Sequence, residues 1–247
     1  MARVIVAGAS GRVGQVMMSG LAQQPDIQVV GGFGHTDWQA QLARLAPQAE
    51  VLVDFTSGSA APDILRAAID AGLHVVSGTS GLPGETLDAL DVALRATSRG
   101  GVWAANFAIG GALMMHFARV AARFMEAAEV IEMHHDRKVD APSGTAVSTA
   151  RMIREARDTD LPDPPVERWT LQGSRGAVQG GVRVHSVRLP GLVAHQEVLF
   201  GAAGQILTIR HDATGRDTYV PGVVLAIRAV QTRVGLARGL DTLMGLQ

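Results

Sequence analysis

With 247 residues, 47% of them hydrophobic and 18% charged, the chain has the composition of a soluble globular protein, with room for one large domain or two small ones. A formal net charge of -1 gives no broad basic surface to nucleic acid or anionic lipid, and the longest apolar runs are too short to span a bilayer. Cysteine is absent, which excludes disulfides, thiolate catalysis and cysteine zinc sites, and no basic leader precedes the first strand-like segment, so a cytoplasmic location is expected.

The first hundred residues alternate strand and helix signals. Residues 3–7 form a β-branched run, followed by a glycine-rich turn and a helical segment to about residue 23. Further strands are predicted at residues 27–33, 51–55, 74–77 and 102–105. Helices are predicted between them at residues 62–71, with Ile64, Leu65, Ala68 and Ile69 on one side, and at 86–96, with Leu87, Leu90 and Leu94 as the stripe. Strands separated by helices of this length imply parallel crossovers, hence a doubly wound α/β sheet. The pattern changes after Asn106. An amphipathic helix over residues 110–127 leads to a strand at 130–133, and residues 143–156 read as a helix with Ser143 near its start. After a loop rich in proline and aspartate, strands at 182–189, 195–200 and 205–211 follow one another without helices, the last two joined by Gly201-Ala202-Ala203-Gly204 as a hairpin. That is an antiparallel or mixed sheet. A final helix at 221–234 returns to the first domain, giving domains of residues 1–106 with 217–247, and 107–216.

Gly8-Ala9-Ser10-Gly11-Arg12-Val13-Gly14 joins the first strand to the first helix. Glycines there allow a tight turn and let a pyrophosphate approach the helix amino terminus, where unpaired N–H groups and the helix dipole favour an anion. In this strand–turn–helix context the motif predicts a dinucleotide; alone it is a glycine-rich turn. An acidic residue is expected at the end of the second strand to hold the adenosine ribose, and Gly34-His35 stands there instead. Either backbone groups hold the ribose or His35 tolerates a 2′-phosphate. Asp54-Phe55-Thr56, Gly78-Thr79-Ser80-Gly81 and Asn106 follow the third, fourth and fifth strands, where loops line the ligand crevice of such sheets.

The most polar stretch is Glu132-Met133-His134-His135-Asp136-Arg137-Lys138. The default for a charged run is a solvated loop. Adjacent histidines on a strand point to opposite faces, and no helical His-x-x-x-His is present, which argues against a metal. The third reading is proton transfer beside an anionic substrate, since imidazole and ammonium both donate to carboxylates. Lys138 favours it. It is the one lysine among 22 basic residues, in a chain that uses arginine everywhere else, and a lysine ammonium can release a proton where a guanidinium stays charged. Ser143-Gly144-Thr145 then offers a hydroxyl and free amides at a helix start, a seat for a carboxylate as well as a plain cap.

The run Glu132-x-His134-His135-x-x-Lys138-x-Asp140-x-Pro142-Ser143-Gly144-Thr145-Ala146 resembles the signature of the 4-hydroxy-tetrahydrodipicolinate reductase family. The similarity extends to the glycine motif, to Asp54-Phe55-Thr56, to Gly78-Thr79-Ser80-Gly81 and to Ala104-Ala105-Asn106-Phe107, and so spans nearly the whole chain. The resemblance implies a Rossmann-like dinucleotide-binding domain, a second α+β domain on a mixed, largely open sheet that binds substrate, and a homotetramer formed through those sheets. It implies reduction of a small heterocyclic dicarboxylate by NADH or NADPH, with loss of water, in diaminopimelate and lysine synthesis. On the same basis His134 and Lys138 are the catalytic proton carriers, and His135, Ser143, Gly144, Thr145 and Arg216 bind the dicarboxylate. Cofactor contacts fall to Gly8, Ala9, Ser10, Gly11, Arg12, Val13, His35, Phe55, Gly78, Thr79, Ser80, Ala104, Ala105, Asn106 and Phe107. No metal is implied. The departure is Gly34-His35, where family members commonly carry a charged residue that sorts NADH from NADPH, so the cofactor preference stays open. Two other readings are a different nicotinamide-dependent amino- or imino-acid dehydrogenase and a noncatalytic NAD(P) sensor. The first does not need the His-His-x-x-Lys and Pro-Ser-Gly-Thr runs together; the second is expected to lose Lys138 or His134.

Overall fold

A computed structural model describes residues 1–246. The chain divides into two compact units, one of Met1–Ile109 with the stretch from Arg216 onward, the other of Gly110–Gly215.

In the first unit the order is β1 (Ala2–Ala7), α1 (Arg12–Ala22), β2 (Ile27–Phe33), α2 (Trp38–Leu45), β3 (Val51–Asp54), α3 (Ala61–Asp70), β4 (His74–Ser77), α4 (Gly84–Ala96) and β5 (Gly100–Trp103). In the second unit follow α5 (Ile109–Ala121), β6 (Ala127–His134), α6 (Gly144–Glu155), β7 (Ala177–Gln179), β8 (Val182–Arg188), β9 (Ala194–Ala202) and β10 (Gln205–Ala213). The chain then completes the first unit with α7 (Val220–Val230), β11 (Gly235–Arg238) and α8 (Asp241–Met244).

The first unit is a six-stranded parallel sheet in the order β11-β5-β4-β3-β1-β2. Its central strands are buried on both faces, as a doubly wound sheet requires: every residue of β3 and β4 is buried, and β1 is buried except at Arg3. One face packs on the apolar stripes of α3 and α4, through Ile64, Leu65, Ala68, Leu87, Leu90 and Leu94 against Ile5, Leu52 and Val75. On α7, Val223, Val224 and Ile227 are buried, and the helix packs against β4, β5 and α1. Strand order reverses between β1 and β3, since β1 pairs with β2 on one side and β3 on the other. A crevice opens at the carboxyl ends of the strands at such a switch point.

The second unit is a five-stranded sheet in the order β10-β9-β6-β8-β7, in which β6 and β8 run parallel and the other pairs antiparallel. Val130, Val184, Val198 and Phe200 on one face meet Met114 and Ala118 of α5 and Ala146, Ala150 and Ile153 of α6. The hairpin from β9 to β10 turns on Ala203-Gly204, with Gly204 at φ +75.

Several elements depart from expectation for local reasons. α5 stops at Ala121, six residues short of the predicted end, although apolar residues continue through Met125. The Arg157 guanidinium donates to the carbonyls of Ala122 and Met125 and so satisfies the chain where it leaves the helix. β11 was not predicted: Gly-Leu-Ala-Arg has no β-branched residue, and its strand conformation comes from parallel pairing with β5. The boundaries shift by a few residues. Phe107 is buried in the first unit, its ring edge-on to Phe55 at 6.0 Å between centroids, which holds residues 107–109 there, and Arg216 joins the same unit.

His74, at the start of β4, accepts a hydrogen bond from the Gly100 amide at Nδ1 (2.9 Å). Burial, then the charge of Arg99, holds its pKa below the usual histidine value. The fold therefore favours the neutral ring, and this contribution is present above about pH 6.5 and lost as the pH falls through the lower folded value. His134 and His211 are lowered in the same direction, chiefly by burial. The thermal midpoint should fall between pH 7 and pH 5.5, and His74→Asn, which keeps an acceptor but does not titrate, should flatten part of that fall. An unchanged slope in the variant would exclude His74 as a contributor.

Candidate active site

In the first unit the chain leaves β1 at Ala7 and turns through Gly8-Ala9-Ser10-Gly11 into α1. Gly8 lies at φ +79, and a Cβ there would sit 2.5 Å from the Phe55 carbonyl oxygen; at Gly14 a Cβ would sit 1.9 Å from the Gly8 carbonyl oxygen. No side chain fits at either position, so the turn and its close approach to α1 require glycine. Gly11 is the N-cap of α1 with no side-chain cap, and the first turn holds no acidic residue. The amides and the dipole at this helix end are therefore left for an anion.

Gly11, Arg12 and Val13 line a crevice of about 330 Å³ with Phe55, Thr56, Ser57, Gly58, Gly78, Thr79, Ser80 and Arg216. A second pocket in the same unit is lined by Gly8, Ser10, Gly34, His35, Trp38 and Thr56 among others, with no carboxylate in its wall. The glycine cradle, the uncapped helix end and two arginines fit a dinucleotide.

Asp54 organises the rim of this crevice. Its carboxylate is fully buried at the end of β3, where Oδ1 accepts from the Thr56 amide (3.0 Å) and hydroxyl (2.5 Å) and Oδ2 from the hydroxyls of Ser77 (2.7 Å) and Thr79 (2.8 Å). Trp103 Nε1 donates to the Thr79 carbonyl (2.9 Å), which ties β5 to the same loops. Beyond it Ala104 is buried, Ala105 is exposed, and Asn106 Oδ1 accepts from the Ala108 amide (2.9 Å), leaving the Asn106 amide nitrogen for a ligand.

In the second unit the period of two along β6 decides the geometry. Ala128 and Val130 face the core, and Glu132 and His134 continue on the same face. The Glu132 carboxylate therefore sits beneath the His134 ring, with Oε2 2.5 Å from Nδ1. Arg188, paired with His134 across the β6–β8 ladder, forks onto Glu132 at 2.9 and 2.7 Å, and the Ser143 amide donates to Oε1 at 3.2 Å. Burial alone would raise the Glu132 pKa, but hydrogen bonds from Arg188, Ser186 and His134 outweigh it and hold the carboxyl below its usual value. For His134 burial also leads, lowering the pKa; Glu132 opposes, and the charges of Lys138 and Arg188 lower it further.

The turn after β6 brings Lys138 back so that its amide bonds the His135 carbonyl (3.1 Å). Its ammonium meets both oxygens of Asp140, at 2.7 and 2.8 Å, with the lysine side chain 20% exposed and Asp140 largely in solvent. His135 is half-buried, and its Nδ1 is buried without a partner. Ser143 caps α6, its Oγ accepting from the Ala146 amide at 3.2 Å, while its carbonyl takes the Val147 amide. That leaves the amides of Gly144 and Thr145 at the helix end for an anion, and nothing lies within 4 Å of where a Gly144 Cβ would stand. Among the described residues no group of three histidines or acids is placed to hold a metal ion.

Residues 2–107 match the family described as dihydrodipicolinate reductase, N-terminus, and residues 110–244 match its C-terminus. The chain belongs to the dihydrodipicolinate reductase family. It is 48% identical over 246 residues to a 4-hydroxy-tetrahydrodipicolinate reductase of Mycolicibacterium vanbaalenii, covering 99% of this chain and all of that one. A protein of the same name from Moorella thermoacetica is 44% identical, with 98% and 97% covered. The dipicolinate-bound dihydrodipicolinate reductase of Paenisporosarcina sp. TG-14 superposes with a TM-score of 0.88 at 35% identity, covering 98% of this chain and 99% of that one. Family membership makes the chain a nicotinamide-dependent oxidoreductase.

The expected residues thus fall into two groups. Gly8 to Val13, His35, Phe55, Gly78 to Ser80 and Ala104 to Phe107 all lie in the first unit, and Arg216, expected with the substrate, lines the crevice there with Arg12. His134, His135, Lys138, Ser143, Gly144 and Thr145 lie in the second. Sequence reasoning missed Asp54 as a hub, Ser57 and Gly58 in the crevice wall, and Arg188. Arg188 carries no signal of its own, because its partner Glu132 is 56 positions away and only the β6–β8 register joins them.

Proposed function

We propose that the chain reduces 4-hydroxy-tetrahydrodipicolinate to tetrahydrodipicolinate in diaminopimelate and lysine synthesis, with His134 and Lys138 carrying the proton. The ring gains a hydride and a proton and loses water. NADH or NADPH, when bound in the glycine-lined crevice, supplies the hydride. The substrate is a dianion, and the second unit offers it fixed donors: the Gly144 and Thr145 amides, the His135 ring and the Lys138 ammonium. Ser143 shapes this seat by capping α6 with its hydroxyl. The observation that carries the reading is one cluster holding a histidine on a buried carboxylate, the chain's only lysine, and a helix end with free amides.

The test is direct. Freshly condensed aspartate semialdehyde and pyruvate should discharge the dihydronicotinamide absorbance in the presence of the protein, and pyridine-2,6-dicarboxylate should inhibit competitively. Cofactor binding without oxidation would convert the reading to a noncatalytic sensor.

On cofactor choice, the pocket beside Gly34 and His35 has no carboxylate to repel a 2′-phosphate, which supports use of NADPH as well as NADH. His35→Asp places a carboxylate there and should lower kcat/KM for NADPH about tenfold relative to NADH, a loss of about 1.4 kcal/mol. An unchanged ratio would remove His35 from this role. No helix of the described residues is long and apolar enough to cross a membrane, and the setting proposed is the cytoplasm. The assembly proposed is a homotetramer, supported by exposed Ile206 and Leu207 on the edge strand β10. Light scattering should give four chains of 25.9 kDa.

A further inference from the structure

Among the described residues of the second unit, Glu132 is the only acid whose side chain is fully buried. Water does not set its orientation; protein donors do. Two bonds come from Arg188, one each from the Ser143 amide and the Ser186 hydroxyl, and another from His134 Nδ1. Held ionised by these partners, the carboxylate can only accept. The hydrogen between Glu132 and His134 therefore resides on Nδ1, and in the neutral ring the basic lone pair is on Nε2. Turning the ring over would leave a buried carboxylate short of a donor, so one tautomer and one orientation are enforced. The same unit reaches the second proton carrier. Arg188 Nη2, which bonds Glu132, also donates to the Asp140 carbonyl at 2.9 Å, and the Asp140 side chain holds Lys138.

We propose that Glu132 is the positioning residue of this site, fixing His134 as the Nδ1–H tautomer so that Nε2 exchanges the proton, and holding the Lys138–Asp140 turn through Arg188. This rests on the role given to His134 above. The contrary view is that the Glu132–Arg188 pair merely ties β6 to β8. A carboxylate that orients an imidazole acts through it, so its removal changes catalysis and not only stability.

The experiment compares Glu132→Gln, His134→Gln and the double variant by kcat across pH, with thermal midpoints measured alongside. The charged groups facing the His134 ring are Glu132 on its own strand, Arg188 on β8 and Lys138 on the following turn. Removing the Glu132 charge leaves the two cations unopposed, so the limb of the pH profile that reports His134 should move to lower pH. Glu132→Gln should lower kcat about 100-fold, and the double variant should be no worse than His134→Gln alone. Multiplying losses in the double variant, or a lower thermal midpoint with unchanged kcat and pH profile, would overturn the proposal. Full activity in His134→Gln would instead strike at the role of His134 itself. Should Glu132→Gln fail to fold, nitrogen-15 spectra of the wild-type histidines decide, with the His134 signal assigned from His134→Gln. A protonated Nδ1 with a bare Nε2 supports the proposal, and the opposite tautomer overturns it.

Discussion

Replacing Lys138 by alanine should lower kcat by about 100- to 1000-fold while leaving NADPH affinity within about twofold. The ammonium is the one lysine amine in the chain, and it sits on the turn between the strand that carries His134 and the helix whose free amides form the anion seat. Every residue lining the cofactor crevice belongs to the other unit, so the binding contacts for the dinucleotide survive the change. Lys138→Arg is the sharper variant. It preserves the positive charge and an ion pair to Asp140, yet a guanidinium does not give up its proton at working pH. Substrate KM should recover in Lys138→Arg and kcat should not. If arginine restored turnover, the residue would be an electrostatic seat for the dicarboxylate and the proton would have to come from elsewhere. Stopped-flow reduction under single-turnover conditions separates the two, because it reads the chemical step without product release.

How much of this was legible beforehand varies with the kind of signal. β2 and β4 fall on their predicted bounds: β4 is buried throughout and stops at Gly78, while β2, a partly buried edge strand, runs from the apolar Ile27 to the buried Phe33 and stops at Gly34. The glycine turn was readable because Gly8 and Gly14 answer to a local constraint, the approach of neighbouring backbone. α2 escaped notice although Trp38, Leu42 and Leu45 have helical spacing: it is eight residues long, without an acidic first turn, and it is entered through Asp37 in the left-handed region. Glu132 and His134 stand in one polar run, but their bond depends on the pleat, and Arg188 enters only through strand register. Periodicity along a chain tells which face a residue takes. It does not tell which residue of another strand lies opposite.

Asp54 makes the same point with a measurable consequence. Its parallel partner on β4 is Ser77, and Thr79 follows two residues later, so a single carboxylate at the end of β3 gathers the loops after two strands. All four of its donors are neutral: three hydroxyls and an amide. Removing it leaves no buried cation without a partner, but it strands donors in a packed rim. Asp54→Ala should therefore cost about 3 kcal/mol or more, read as a lower urea midpoint at unchanged m value. It should also weaken NADPH binding about tenfold, because Thr56 and Thr79 both line the crevice. Asp54→Asn should be milder, at about 1–2 kcal/mol. Its oxygen can face the Thr56 amide, and the hydroxyls of Ser77 and Thr79 can rotate to accept from its nitrogen. The order of the two variants tests the hydrogen-bond account against a simple loss of charge, which would make them alike. Wild-type NADPH affinity in a destabilised Asp54→Ala would show that the bond from Trp103 to Thr79 is enough to hold the rim.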